Sequence, residues 1–207
     1  MPGKLLAAHH TVADWDFQQG SQYRSLDATY FISEPTSLKL GPPPVNWPDT
    51  VLCRIPATQL LPQGEVRTWM RVHMVACYPA VFRNQHALGG ADDQNCYFLQ
   101  QAAAAVYLYR MVGGFSTLCD QTTGYFAIDT WLHYRTVWYN GKTPGEVPAL
   151  CVDYYREIAG EWIKLGNTMY DTVNMFKDSA INRVGFHAFL YPNTYSWFDD
   201  TEIWGPV

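Results

Sequence analysis

The segment EVRTWMRVHM, residues 65–74, constrains the fold more than any other part of the chain. Its even positions are Val66, Thr68, Met70, Val72 and Met74, and its odd positions are Glu65, Arg67, Trp69, Arg71 and His73. An amphipathic helix repeats its apolar residues three and four apart, whereas strict alternation puts them on one side of a pleated strand. Residues 132–139 repeat the design, with Leu132, Tyr134, Thr136 and Trp138 on one side and His133, Arg135, Val137 and Tyr139 on the other. Two strands, each with a dry side and a cationic, ring-bearing side, predict a sheet with one face turned into a core.

The remaining chain reads as many short strands separated by turn signals. Leu61-Pro62-Gln63-Gly64 precedes the first alternating strand, Gly113-Gly114 closes another, and EIAGEW (157–162) has the form of a tight hairpin. In CYFLQQAAAAVYLYRMVGG the Gln and Ala residues favour a helix, but Val106 to Tyr109 and the glycine stop favour a hairpin, so two strands are expected. DTVNMFKDSAI reads as a short surface turn or one helical turn. Residues 1–28 are weakly patterned and are expected to form an N-terminal arm, and Pro42-Pro43-Pro44 a stiff extended connector. Residues 29–207 then make one domain, an all-β, two-sheet antiparallel β-sandwich of the jelly-roll kind with little helix.

Composition narrows the function. Eight Trp, 14 Tyr and 10 Phe in 207 residues suit half-buried pleated surfaces and surfaces that stack on flat ligands. The net charge is −5 and no basic stripe occurs, which argues against nucleic acid as a partner. No apolar run approaches the roughly 18 residues of a membrane-spanning helix. The N-terminus has too short an apolar stretch for a good secretory signal, so the chain is expected to stay where it is made or to have lost its signal. The five cysteines lack a CxxC pair or a Cys/His cluster, which argues against zinc; they read as reduced, buried thiols in a reducing compartment, with a Cys77–Cys96 bridge as the alternative.

The order EVRTWMRV, VYLYRMVGG, WLHYRTVWYNG, ALCVDYYREIAGEWIKL, NRVGFHAFL and YSWFDDTEIW resembles the concanavalin A-like lectin/glucanase superfamily, particularly its laminin-G-like and carbohydrate-binding branches, over about residues 50–204. That resemblance implies two antiparallel sheets, one of them bent into a concave face where members hold sugars. It also directs attention to calcium, which several branches bind at the rim. The legume-lectin metal pattern is missing here, and the one loop resembling a calcium site, Asp92, Asp93 and Asn95, reads first as a solvated turn; no resident cofactor is expected.

If both alternating strands belong to the concave sheet, their outward sides assemble Trp69, Arg71, His73, His133, Arg135 and Tyr139. Sugar CH faces stack on such rings, while Arg and His donate to hydroxyls or a carboxylate. The same set also suits a protein partner, since Trp, Tyr and Arg dominate interface hot spots, or simple cross-strand packing. The leading expectation is a non-catalytic glycan-binding or adhesion module. One alternative is a structural surface component of a larger assembly, such as a virion, or a homo-oligomer. A glycoside hydrolase is the other, and it needs two carboxylates about 5 Å apart or more. The Glu-x-Asp-x-x-Glu pattern of the glucanases is absent, leaving Glu157 with Glu161 and Asp199 with Glu202 as substitutes that read more simply as surface carboxylates and strand-end caps.

Overall fold

The computed structural model describes residues 4–9, 15–17, 24–33, 36–41, 47–53, 61–73, 76–85, 95–102, 104–190 and 195–206. No helix occurs among them. One sheet has nine strands in the order β13 (Glu161–Lys164), β12 (Pro148–Ile158), β11 (Leu132–Lys142), β6 (Gly64–Val72), β16 (Ser196–Gly205), β4 (Ser37–Leu40) and β3 (Arg24–Asp27). In it β1 (Lys4–His9) also pairs with β16, and β14 (Met169–Asp171) with β12. The second sheet has seven strands: β10 (Phe115–Thr123), β9 (Ala105–Val112), β8 (Cys96–Ala102), β7 (Ala76–Asn84), β15 (Arg183–Leu190), β5 (Trp47–Cys53) and β2 (Trp15–Phe17).

The alternating segments pack as their pattern dictates. Val66, Met70 and Val72 of β6 and Tyr134 and Trp138 of β11 meet Phe82, Tyr97, Leu99, Leu108 and Phe186 of the other sheet in one buried cluster. Burial of each such side chain contributes about 1.5–3 kcal/mol. Rings span the gap between sheets: Phe82 stacks on Trp138 with centroids 5.1 Å apart, and Phe186 on Phe198 at 4.2 Å. Because the even positions of these two strands face the core, their odd positions face away from it.

The turns carry the conformations their residues allow. Gly113 and Gly114 (φ 55° and 82°) and Ala159 and Gly160 (φ 53° and 85°) are paired left-handed residues, the requirement of a type I′ hairpin. Pairing within the sheet overrides helix propensity in the alanine run, where Ala102 pairs with Ala105 as the two ends of a β8–β9 hairpin. Residues 172–182 form turns, anchored where Asp171 accepts from Tyr97 Oη at 2.5 Å and Arg110 Nη1 at 2.8 Å.

Part of the stretch expected as an N-terminal arm consists of strands: β1, β2 and β3 pair with β16, β5 and β4. These strands are three to six residues long, too short for a visible period, and β1 pairs with the far end of the chain. Cys119 and Cys151 are free thiols, and the side chain of Cys77, with it the Cys77–Cys96 alternative, lies outside the described residues. The Pro42–Pro44 connector, Asp92 and Asp93 lie outside the described residues. Asn95 accepts the Gly113 amide at 2.8 Å, a hairpin contact.

Candidate functional site

The register between β6 and β11 decides which outward side chains meet. Trp69 stands opposite His133, Arg67 opposite Arg135, and Glu65 opposite Val137. On the flanks, β12 sets Tyr155 beside Arg135, β13 sets Trp162 beside Glu157, and β16 sets Glu202 and Trp204 beside Arg67 and Glu65. The six predicted residues therefore occupy one face, but as a strip along the β6–β11 seam and not as a compact patch. From His73 to the level of Gly64 is nine residue steps, roughly 30 Å.

At the centre, the His133 ring stacks on Trp69 with centroids 4.6 Å apart and planes within 10°, and Trp162 leans against its other side at 4.7 Å. Glu157 bonds His133 Nδ1. Burial between the rings pushes the imidazole pKa down and outweighs the upward pull of Glu157, so His133 is held below the usual histidine range. A neutral ring donating Nδ1–H to Glu157 leaves Nε2 as an acceptor. Arg67 lies over Trp204 at 4.6 Å and pairs with Glu65 and with Glu202 at 3.5 Å.

At one end of the strip, Arg71 and His73 converge on Asp129. Arg71 donates to the Asp129 carbonyl and, at 3.3 Å, to its carboxylate, and His73 Nδ1 lies 2.8 Å from that carboxylate. Asp129 is itself left-handed (φ 56°), and its amide donates to the Val72 carbonyl at 2.8 Å. Tyr30, Lys39, Tyr195 and Trp197 complete a hollow of about 380 Å³ with these three. Lys39 sits 4.5 Å from the Tyr195 ring and 3.0 Å from Asp27. Burial pushes the Asp27 pKa up, but Trp197 Nε1, the Thr29 and Tyr30 amides and Lys39 outweigh it and hold the carboxyl far below the usual range.

At the other end, Arg135 reaches Glu65 at 2.6 Å and lies over Tyr155 at 5.0 Å. Tyr139 contacts Asp153 at 3.4 Å, and burial with that neighbouring charge pushes its phenol up to about 12. Arg135, Tyr139, Glu65 and Trp204 border a smaller pocket of about 60 Å³. No group of three or more His, Cys, Asp or Glu suited to a metal occurs among the described residues.

Of the substitute catalytic carboxylates, Glu157 bonds His133, and Glu202 accepts from Arg67 and from Trp204 Nε1. Glu157 faces Trp162 across its hairpin, while Glu161 pairs with Ile158. Asp199 is buried and accepts the Ile32 and Ser33 amides at 2.7 and 3.1 Å, capping backbone groups.

Two outward tryptophans have a cause that alternation hides. Trp197 and Trp204 differ in parity, so a regular strand would place them on opposite sides. A register shift between Asp199 and Glu202 inserts a bulge, with Asp200 left-handed at φ 42°, and pairs Trp197 with Arg71 and Trp204 with Glu65 on the same side. The DD pair before a tryptophan is the only trace of this in the sequence.

No protein-family model and no curated protein matches the chain. Solved structures do. The carbohydrate-binding module CBM66 from Bacillus subtilis superposes with a TM-score of 0.54 at 10% identity, covering 91% of this chain and 93% of its own. The PL-14 alginate lyase from Aplysia kurodai gives 0.57 at 10% identity, covering 91% and 89%. The exoplasmic/lumenal domain of VIP36, in its Ca2+/Man-bound form, gives 0.50 at 14% identity, covering 92% and 82%. At such identities the likeness is one of architecture: the chain has the jelly-roll, concanavalin A-like fold.

Proposed function

We propose that this chain is a non-catalytic, lectin-like module that binds a glycan along the outer face of its nine-stranded sheet. Trp69, Arg71, His73, His133, Arg135 and Tyr139 are its contact residues. The observation that carries this reading is the strip itself, in which half-buried rings alternate with planar polar groups between two hollows. It is longer than a single sugar ring, so its ligand is an extended oligosaccharide. A neighbour of the same fold that is named a carbohydrate-binding module supports a binding role.

The test is a glycan array with Trp69→Ala and Tyr139→Ala. Loss of either ring lowers retention about tenfold or more while the cooperative thermal transition persists. Equal retention by both variants and the parent chain excludes this face.

A second reading, an enzyme acting on a polysaccharide, is favoured by the Glu157–His133 contact, which orients Nε2 as a base. It requires product release from a polysaccharide panel that disappears in His133→Gln.

A further inference from the structure

The charge arrangement along the strip bears on the kind of glycan this face takes, and the inference rests on the glycan-binding reading of the face. Every lysine and arginine named on this face already has a carboxylate. Arg67 is paired with Glu65 and Glu202, Arg135 with Glu65, Arg71 with Asp129, Lys39 with Asp27, and Lys164 with Asp153 at 2.5 Å. Those five cations face five carboxylates, and Glu157 on neutral His133 adds a sixth. Among the described residues the face thus carries no surplus of positive charge, and the chain's net charge of −5 adds a weak repulsion toward anions.

A uronate or sulfate would arrive beside Glu65 or Asp129 with no unclaimed cation among the described residues to receive it, and it would lose its own hydration. A hydroxyl meets a different surface. It both donates and accepts, and each ion pair displays an N–H donor next to a carboxylate acceptor. Neighbouring hydroxyls on a sugar ring are able to donate to Asp129 while accepting from Arg71, and likewise at Glu65 and Arg135. Trp69 and Trp162 meanwhile present apolar surface to the ring's CH groups. We propose that the strip selects an uncharged, polyhydroxylated polysaccharide over a uronate- or sulfate-bearing one.

Affinity electrophoresis of the full chain through gels containing neutral polysaccharides (a mannan, a xylan, a β-glucan, a fructan) or acidic ones (alginate, polygalacturonate, chondroitin sulfate) tests this. The expected result is retardation in at least one neutral gel, changing by less than about twofold between low and high salt, and none in the acidic gels. Asp129→Asn frees Arg71 and His73 over the larger hollow, and Glu202→Gln leaves Arg67 only the carboxylate that Arg135 also uses. Both carboxylates are more than a third exposed, so neither change threatens the fold. Each variant gains salt-sensitive retardation in an acidic gel. Salt-sensitive retardation of the parent chain by an acidic polysaccharide overturns the proposal and leaves the glycan-binding reading standing. Failure of both variants to gain it overturns the role given to ion pairing. No retardation in any gel removes the glycan-binding reading together with this one.

Discussion

Arg83→Met removes the guanidinium that ties both sheets to the turn segment, while keeping an unbranched stem. Arg83 is fully buried, at φ 49°, beside the β7–β15 register shift. Its Nε donates to the Pro62 carbonyl at 2.7 Å, Nη1 to Asn174 Oδ1 at 2.6 Å and the Met175 carbonyl at 3.1 Å, and Nη2 to Asn140 Oδ1 at 2.8 Å. None of these acceptors is charged. Burial accordingly pushes the guanidinium down to about 10, against the pull of Tyr97, Asp178 and Asp171, and it stays charged at neutral pH. Deleting it strands two backbone carbonyls that cannot turn away, at about 1–3 kcal/mol each, and loosens two amides that can. Relief from burying a charge without an ion-pair partner offsets some of this. The net loss is about 4 kcal/mol. For a chain of this size that lowers the melting temperature by roughly 8–16 °C. Urea unfolding followed by tryptophan fluorescence measures it, and an unchanged m-value confirms that the native state is what changed. A loss under about 1 kcal/mol, or a gain, refutes the reasoning: desolvation of the guanidinium would then outweigh its four bonds.

Other positions give sharper single contacts. A Cβ on Gly141 would lie 2.7 Å from Cys151 Sγ; Gly141→Ala therefore costs about 1–3 kcal/mol by overpacking. Cys151→Ala in the same chain recovers most of that, seen as a positive coupling in a double-mutant cycle by urea unfolding, whereas strict additivity contradicts the clash. His133 supplies a pH dependence. Its folded pKa lies below the unfolded value near 6.5, so the unfolded chain binds the extra proton and the stability it contributes is complete above that value. Stability falls as pH drops through 6.5 toward the folded pKa, and His133→Gln flattens this part of the urea-midpoint profile; an unaltered profile refutes the assignment.

Strand-local features were legible in the sequence, and features needing two distant segments were not. The dry sides of residues 66–72 and 134–138 follow from alternation, and the 113–114 and 159–160 turns from residues that tolerate positive φ. Trp69 and His133 fall on like sides by alternation, but only the register makes them stack. Trp204 is hidden by a bulge that reverses parity within its strand, and Trp162 by a hairpin strand of four residues, too short to show a period. Asp129 lies in a loop and enters the site through an αL turn, so no periodic argument reaches it. The pairing of Arg71 and Arg135 with carboxylates is invisible for the same reason. Read from sequence they are a basic patch; in the fold they are balanced ion pairs.

Those contacts also bear on whether the outward rings serve packing or recognition. A sheet with one solvated face requires only polar residues there, and Trp197, 4% exposed, shows that this face can bury a ring where packing demands it. Trp69, Trp162 and Trp204 remain half-buried, each with one side against His133 or Arg67. Cross-strand stacking of this kind stabilises a sheet by at most about 1 kcal/mol per pair, which is a weak reason to keep three indoles in water. Holding a ring flat before a ligand arrives is a stronger one, since the conformational entropy of the platform is then lost during folding and not during binding. Packing and binding are therefore two consequences of one arrangement, and Trp69→Ala separates their sizes. If sheet cement is its main role, the unfolding midpoint moves and retention follows it. If the platform is, retention collapses while the midpoint shifts by no more than the stacking term.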